Sequence, residues 1–101
     1  MIALDSGQLE TVKKILQRHV PERRVLAFGS RVTGQNKPFS DLDLAVIGDE
    51  PLPLSVSGGL RDAFSSSGLP FSVDFVDWAI TDEEFRQAIL QAHEVIQAGP
   101  S

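Results

Sequence analysis

The sequence predicts an α/β (α+β) domain, a small mixed β-sheet flanked by helices, and three observations carry that reading. Stretches with helical apolar spacing alternate with short apolar runs, in the order helix, strand, turn, strand, helix, strand, helix. Gly and Pro fall between those stretches, where turns are needed. A length of 101 residues with 42% hydrophobic content allows one core, so residues 1–101 are read as a single domain.

Each element has its own justification. From about Ser6 to His19, the apolar residues Leu9, Val12, Ile15 and Leu16, with Val20 just beyond, form one helical stripe. Ser6 is the expected N-cap, and Pro21 stops the helix. Residues 24–28 (RVLAF) read as a buried strand ending at Gly29. Residues 29–39 are Gly-, polar- and Pro-marked, with room for one helical turn beginning near Ser30. The second strand is residues 42–47, closed by Gly48, and a Pro-punctuated loop follows. Residues 54–67 predict a helix around Leu60, Ala63 and Phe64, weakened by Gly58 and Gly59. Residues 71–78 (FSVDFVDW) form the third strand. Thr81, followed by Asp82, Glu83 and Glu84, is a capping-box start for a last helix through Phe85, Ile89, Ala92, Val95 and Ile96.

Charge narrows the function classes. With 14 Asp and Glu against 9 Lys and Arg, the net charge is −5. Proteins that grip nucleic acid neutralise phosphates with Lys and Arg, so a nucleic-acid partner is disfavoured. The chain has no cysteine, which removes thiolate metal sites and thiol nucleophiles and fits a cytoplasmic protein. No run approaches the roughly 20 apolar residues that cross a bilayer, and the N-terminus lacks signal-peptide character.

The chemistry begins with residues 40–46, SDLDLAV, which set two carboxylates into an apolar strand. Alternation puts Leu42, Leu44 and Val46 on one face and Asp41, Asp43 and Ala45 on the other. Two like charges side by side raise each other's pKa unless a cation sits between them, and a hard divalent ion, Mg²⁺ or Mn²⁺, prefers carboxylate oxygen. Taken alone, the pattern also suits two solvated aspartates on an edge strand. Two neighbours shift the balance. Asp74 interrupts the third strand in the same way, and adjacent strands would bring it beside Asp41 and Asp43. Three carboxylates at one end of a sheet suffice for a two-metal site. Gly29-Ser30, directly after the first strand, opens a helical turn whose free N–H groups and hydroxyl suit an anion, and Gly34 can close that turn with positive φ. It is not a P-loop, since Gln35-Asn36 stands where Lys-Ser/Thr is required. Asp77 has the opposite parity from Asp74 and reads as a strand-end residue, and neither His19 nor His93 has a partner ligand at metal spacing.

Gly29-Ser30-Arg31-Val32-Thr33-Gly34, then Ser40-Asp41-Leu42-Asp43-Leu44, then Val73-Asp74-Phe75-Val76, resembles the DNA polymerase β-like nucleotidyltransferase superfamily, and within it the minimal nucleotidyltransferase (MNT) group. The resemblance runs from the first strand to the last helix. It implies the polymerase β-like fold and metal-dependent transfer of a nucleoside monophosphate, AMP from ATP, to an acceptor hydroxyl. It further implies that Asp41 and Asp43 bridge the metal holding the triphosphate, that Asp74 completes the second metal and helps deprotonate the acceptor, and that Gly29 and Ser30 hold phosphates. Arg31 or Lys37 would add positive charge near the phosphates, or be solvated loop residues. Many MNT proteins accompany a small helical HEPN protein as antitoxin and toxin, which makes a HEPN-like protein the expected partner and acceptor. The competing expectation is a catalytically silent binding module that neutralises such a partner by contact.

Overall fold

The computed structural model describes residues 2–100. The order along the chain is α1 (Ser6–His19), β1 (Val25–Phe28), α2 (Ser30–Thr33), β2 (Leu42–Val46), α3 (Leu54–Ser65), β3 (Val73–Asp77), a 3₁₀ turn (Trp78–Ile80), α4 (Glu83–Gln91) and β4 (His93–Gln97). The strands form one sheet in the order β3-β2-β1-β4. β1 is antiparallel to both β2 and β4, and β2 is parallel to β3, so the sheet is mixed as expected.

The two faces of the sheet follow from alternation. Val25, Ala27, Leu42, Leu44, Val46 and Ile96 face α1 and α3, and together with Val12, Leu16, Leu60 and Phe64 they make the main core. On the other face, Leu26 and Ala45 pack beneath Ile89 of α4, with Phe28, Val76 and Trp78 at the margins. Asp43 belongs to this second face, since it pairs with Phe28 on β1 and with Asp74 on β3. The leucines of β2 thus anchor the strand while its aspartates face away from the main core.

Two helix starts differ from expectation by one residue. Asp5, not Ser6, caps α1: its carboxylate accepts from Gln8 N–H at 2.7 Å, and Gln8 Oε1 accepts from Asp5 N–H at 3.1 Å. Asp82, not Thr81, caps α4, while the Thr81 hydroxyl donates to Asp77 O at 2.7 Å. In both cases a carboxylate was available beside the hydroxyl residue, and it is the stronger acceptor toward a helix N-terminus.

The larger correction concerns the end of the chain. The last helix stops at Gln91, and residues expected to continue it form β4 instead. Val95 pairs with Leu26 and His93 with Phe28, so this segment covers the outer edge of β1. Val95 and Ile96 are β-branched and favour a strand when an unpaired edge is available. No described helix is long and apolar enough to cross a membrane.

Candidate active site

Parallel pairing of β2 with β3 brings the expected acids together. Asp43 is directly opposite Asp74, and Asp41 lies two residues before Asp43 on the same parity. Asp43 is half-buried, whereas Asp41 and Asp74 are exposed. Burial, and then the charges of Asp74 and Asp41, hold the Asp43 carboxyl above its ordinary pKa. Among the described residues no Lys, Arg or His forms an ion pair with any of the three.

The glycine-serine turn is pressed against this cluster. Gly29 has φ 82° and ψ −159°, a conformation essentially confined to glycine. A Cβ there would stand 2.5 Å from Asp43 Oδ2, so the absent side chain is what lets the turn approach the carboxylate. Gly29 O accepts from Val32 N–H at 3.0 Å and Thr33 N–H at 3.1 Å, while Gly34, at φ 86°, closes the turn by donating to Ser30 O at 2.9 Å. The N–H groups of Ser30 and Arg31, at the start of the turn, take no acceptor among the described residues, as helix starts require. Backbone donors and carboxylates therefore meet at the C-terminal end of β1, across from the start of β2.

Arg31 is not a solvated loop residue: its guanidinium is enclosed by backbone carbonyls. It is 4% exposed. Its Nε donates to Ser40 O at 2.9 Å, and its two terminal nitrogens donate to Ala3 O at 2.7 Å and Pro38 O at 2.9 Å. The guanidinium also lies 4.1 Å from the centre of the Phe71 ring. One side chain so ties α2 to the segment before Asp41, to the N-terminal segment and to Phe71, two residues ahead of β3. Lys37 remains exposed in the same loop. Asp77 has a structural role that its parity only hinted at: Oδ2 accepts from Leu52 N–H at 2.7 Å and Oδ1 from Ala79 N–H at 3.3 Å. His93 Nδ1 lies 3.0 Å from Leu90 O, at the turn into β4.

The donor set fits a hard divalent cation: three carboxylates, one of them destabilised by desolvation and by its neighbours, with no cation paired to them among the described residues. Among the described residues no three such side chains already converge on one point. Asp41, immediately before β2, and Asp74, on β3, are both exposed side chains.

The raised pKa has a defined consequence for stability. Because the folded chain holds the Asp43 proton where the unfolded chain has released it, stability falls as pH rises from the ordinary carboxylate range through the raised value. In chelating buffer, Asp43→Asn is expected to melt a few degrees above the parent chain at neutral pH and to lose that advantage as the pH falls toward about 4. Thermal denaturation across this range checks it; a variant that melts below the parent at neutral pH contradicts the assignment.

Residues 10–98 match the family described as Polymerase beta, Nucleotidyltransferase, and the chain belongs to that family. It is 51% identical over 94 residues to the Haemophilus influenzae protein named probable protein adenylyltransferase MntA, an alignment covering 93% of this chain and 82% of that one. Among solved structures, a toxin-antitoxin crystal structure with AMP-PNP matches with a TM-score of 0.75 at 23% identity, over 92% of this chain and 74% of that one. A tri-AMPylated Shewanella oneidensis HEPN toxin in complex with MNT antitoxin matches with a TM-score of 0.67 at 22% identity, over 89% and 69% of the two chains. At those identities the structural likeness speaks for the fold. The expected MNT resemblance and the expected enzyme class, nucleotidyltransferase, are both upheld.

Proposed function

We propose that this nucleotidyltransferase moves AMP from ATP to a hydroxyl of a small helical HEPN-like protein in the cytoplasm, acting as the antitoxin of such a pair. The observation that carries the reading is the in-register placement of Asp43 against Asp74, with the Gly29-Ser30 turn packed on Asp43. The partner class is supported by the names of the relatives, a protein adenylyltransferase and toxin-antitoxin complexes of the same fold.

In this reading Asp41, Asp43 and Asp74 would hold Mg²⁺ or Mn²⁺, which when bound neutralises charge on the attacking and leaving oxygens of an in-line displacement. The chain's own groups do the rest. The free N–H groups at Ser30 and Arg31 and the Ser30 hydroxyl face the β- and γ-phosphates, and Gly29 allows their close approach. Asp74, on the exposed edge strand, accepts the proton of the acceptor hydroxyl. The acceptor oxygen then bonds to the α-phosphorus, the bond from that phosphorus to the β-phosphate oxygen breaks, and pyrophosphate leaves. Arg31 contributes by holding the loop that carries Asp41, not by contact with phosphate.

Incubation with Mg²⁺, α-labelled ATP and a small helical HEPN-like protein tests the proposal. Label is expected on that protein with the parent chain and is expected to vanish with Asp41→Asn/Asp43→Asn. Absence of label from the parent, with neutralisation of the HEPN-like protein intact in both, overturns the transfer and leaves a binding module.

A further inference from the structure

Phe28 ends β1 and stands directly opposite Asp43 in the pairing with β2, so the two side chains share a face of the sheet. Asp74 pairs with Asp43 on that same face. α4 lies on it too: Ile89 packs on Leu26 and Ala45, and Phe85, one turn earlier in the helix, meets Phe28. The two rings are edge to face, with centres 5.7 Å apart and planes at 84°. Phe85 also shares the wall of an open cleft with Val76, which pairs with Ala45. Its ring therefore lies across β2, at the end of α4 nearest the carboxylates, and it is 40% exposed. The other aromatic rings are engaged elsewhere. Phe71, Phe75 and Trp78 each lie against an arginine guanidinium, and Phe64 is in the main core. Phe39 is exposed, but it borders a cleft walled by α3, which packs on the opposite face.

We propose that Phe85, backed by Phe28, is the platform on which the base of the nucleoside triphosphate stacks. This rests on the reading of the Gly29-Ser30 turn as the phosphate site. Phe28 directly precedes that turn and faces Asp43. With the phosphates at the turn and the carboxylates, the nucleoside extends over the face that carries the two rings. The charges orient it. Asp82, Glu83 and Glu84 stand at the start of α4 and repel phosphate, whereas an uncharged ring is accepted there. A phenyl ring left in water forgoes its burial, and a stacked base restores it. Stacking reads the flat face that every base has, so Phe85 separates a nucleotide from a bare polyphosphate more than one base from another.

Titration calorimetry in Mg²⁺ with two probes, AMP-PNP and inorganic tripolyphosphate, tests the platform in Phe85→Ala, Phe85→Trp and Phe39→Ala. Phe85→Ala is expected to bind AMP-PNP about tenfold more weakly, the size of one base–aromatic stack, with tripolyphosphate affinity unchanged. Phe85→Trp keeps a stacking face, so its AMP-PNP affinity is expected to equal or exceed the parent's. Its added fluorescence is expected to be quenched by AMP-PNP and not by tripolyphosphate, measured against the single Trp78 of the parent. Phe39→Ala is expected to bind both probes like the parent. Unchanged AMP-PNP affinity in Phe85→Ala overturns the platform, and so does an equal loss of both probes, which makes Phe85 a support for the turn. Should Phe85→Ala fail to fold, Phe85→Trp decides, since unquenched fluorescence at saturating AMP-PNP overturns the platform. A loss of AMP-PNP confined to Phe39→Ala overturns it as well and moves the base to the α3 side. A parent that binds neither probe overturns the phosphate reading and the platform with it. A parent that binds AMP-PNP but places no label on the HEPN-like protein overturns the transfer alone and leaves the platform to the binding results.

Discussion

Arg31→Ala is expected to destabilise the chain by about 3–4 kcal/mol, the effect of leaving several carbonyls without their donor around a vacated buried volume. The three carbonyls belong to Ala3, Pro38 and Ser40. The face of Phe71 also loses the guanidinium that covers it. For a domain of this size the melting temperature should fall by on the order of 15 °C. Arg31→Lys is expected to recover little, because a single ammonium cannot donate along three divergent directions as a planar fork does. Calorimetry or circular dichroism measures the stability, and binding of an ATP analogue at a temperature where the variant is folded separates architecture from phosphate contact. If Arg31 touched phosphate, the lysine variant would melt like the parent and bind the analogue more weakly. The opposite pattern, poor melting with analogue affinity preserved in the folded fraction, is the expected result.

Arg31 also marks where sequence reasoning stops. Its position after Gly29-Ser30 invites a phosphate role, and nothing local in the sequence announces that its acceptors lie at residues 3, 38 and 40. A buried arginine is legible only when the carbonyls converging on it are known. The carboxylates were legible for the opposite reason. Strand alternation is a local rule, so the parity of Asp41, Asp43 and Asp74 follows from counting, and one adjacency, β2 beside β3, brings them together. The same contrast separates the helices from β4. Phe85, Ile89, Ala92, Val95 and Ile96 carry a spacing that suits a helix throughout, with no Gly or Pro to break it before residue 99. The break at Ala92 is supplied by tertiary structure, where the free edge of β1 takes residues 93–97 as a strand. Elements defined by their own side chains were readable; those defined by a partner elsewhere in the fold were not.

Gly29→Ala is expected to abolish transfer, with activity reduced about a hundredfold or more, since displacing a reacting group by as little as 1 Å has effects of that size. Two costs fall on this one methyl group. At φ 82° and ψ −159° an alanine is strained by about 1–3 kcal/mol. In addition, the new carbon stands 2.5 Å from Asp43 Oδ2 and 3.4 Å from Asp43 Cγ, so either the carboxylate rotates away or α2 shifts. Each response separates the N–H groups of the turn from the Asp43 carboxylate, the approach on which the proposed transfer depends. Gly34→Ala is the matched control, because Gly34 also has positive φ, at 86°, but nothing lies within 4 Å of the position its Cβ would take. It should lose only the strain, about 1–2 kcal/mol, and keep most of its activity. A double-mutant cycle isolates the contact from the strain. With Asp43→Ala in place the carboxylate is gone, so Gly29→Ala should destabilise less than it does in the parent, leaving the backbone cost alone. Equal destabilisation in both backgrounds, or a Gly29→Ala chain that transfers as well as Gly34→Ala, would show that the turn does not depend on its approach to Asp43.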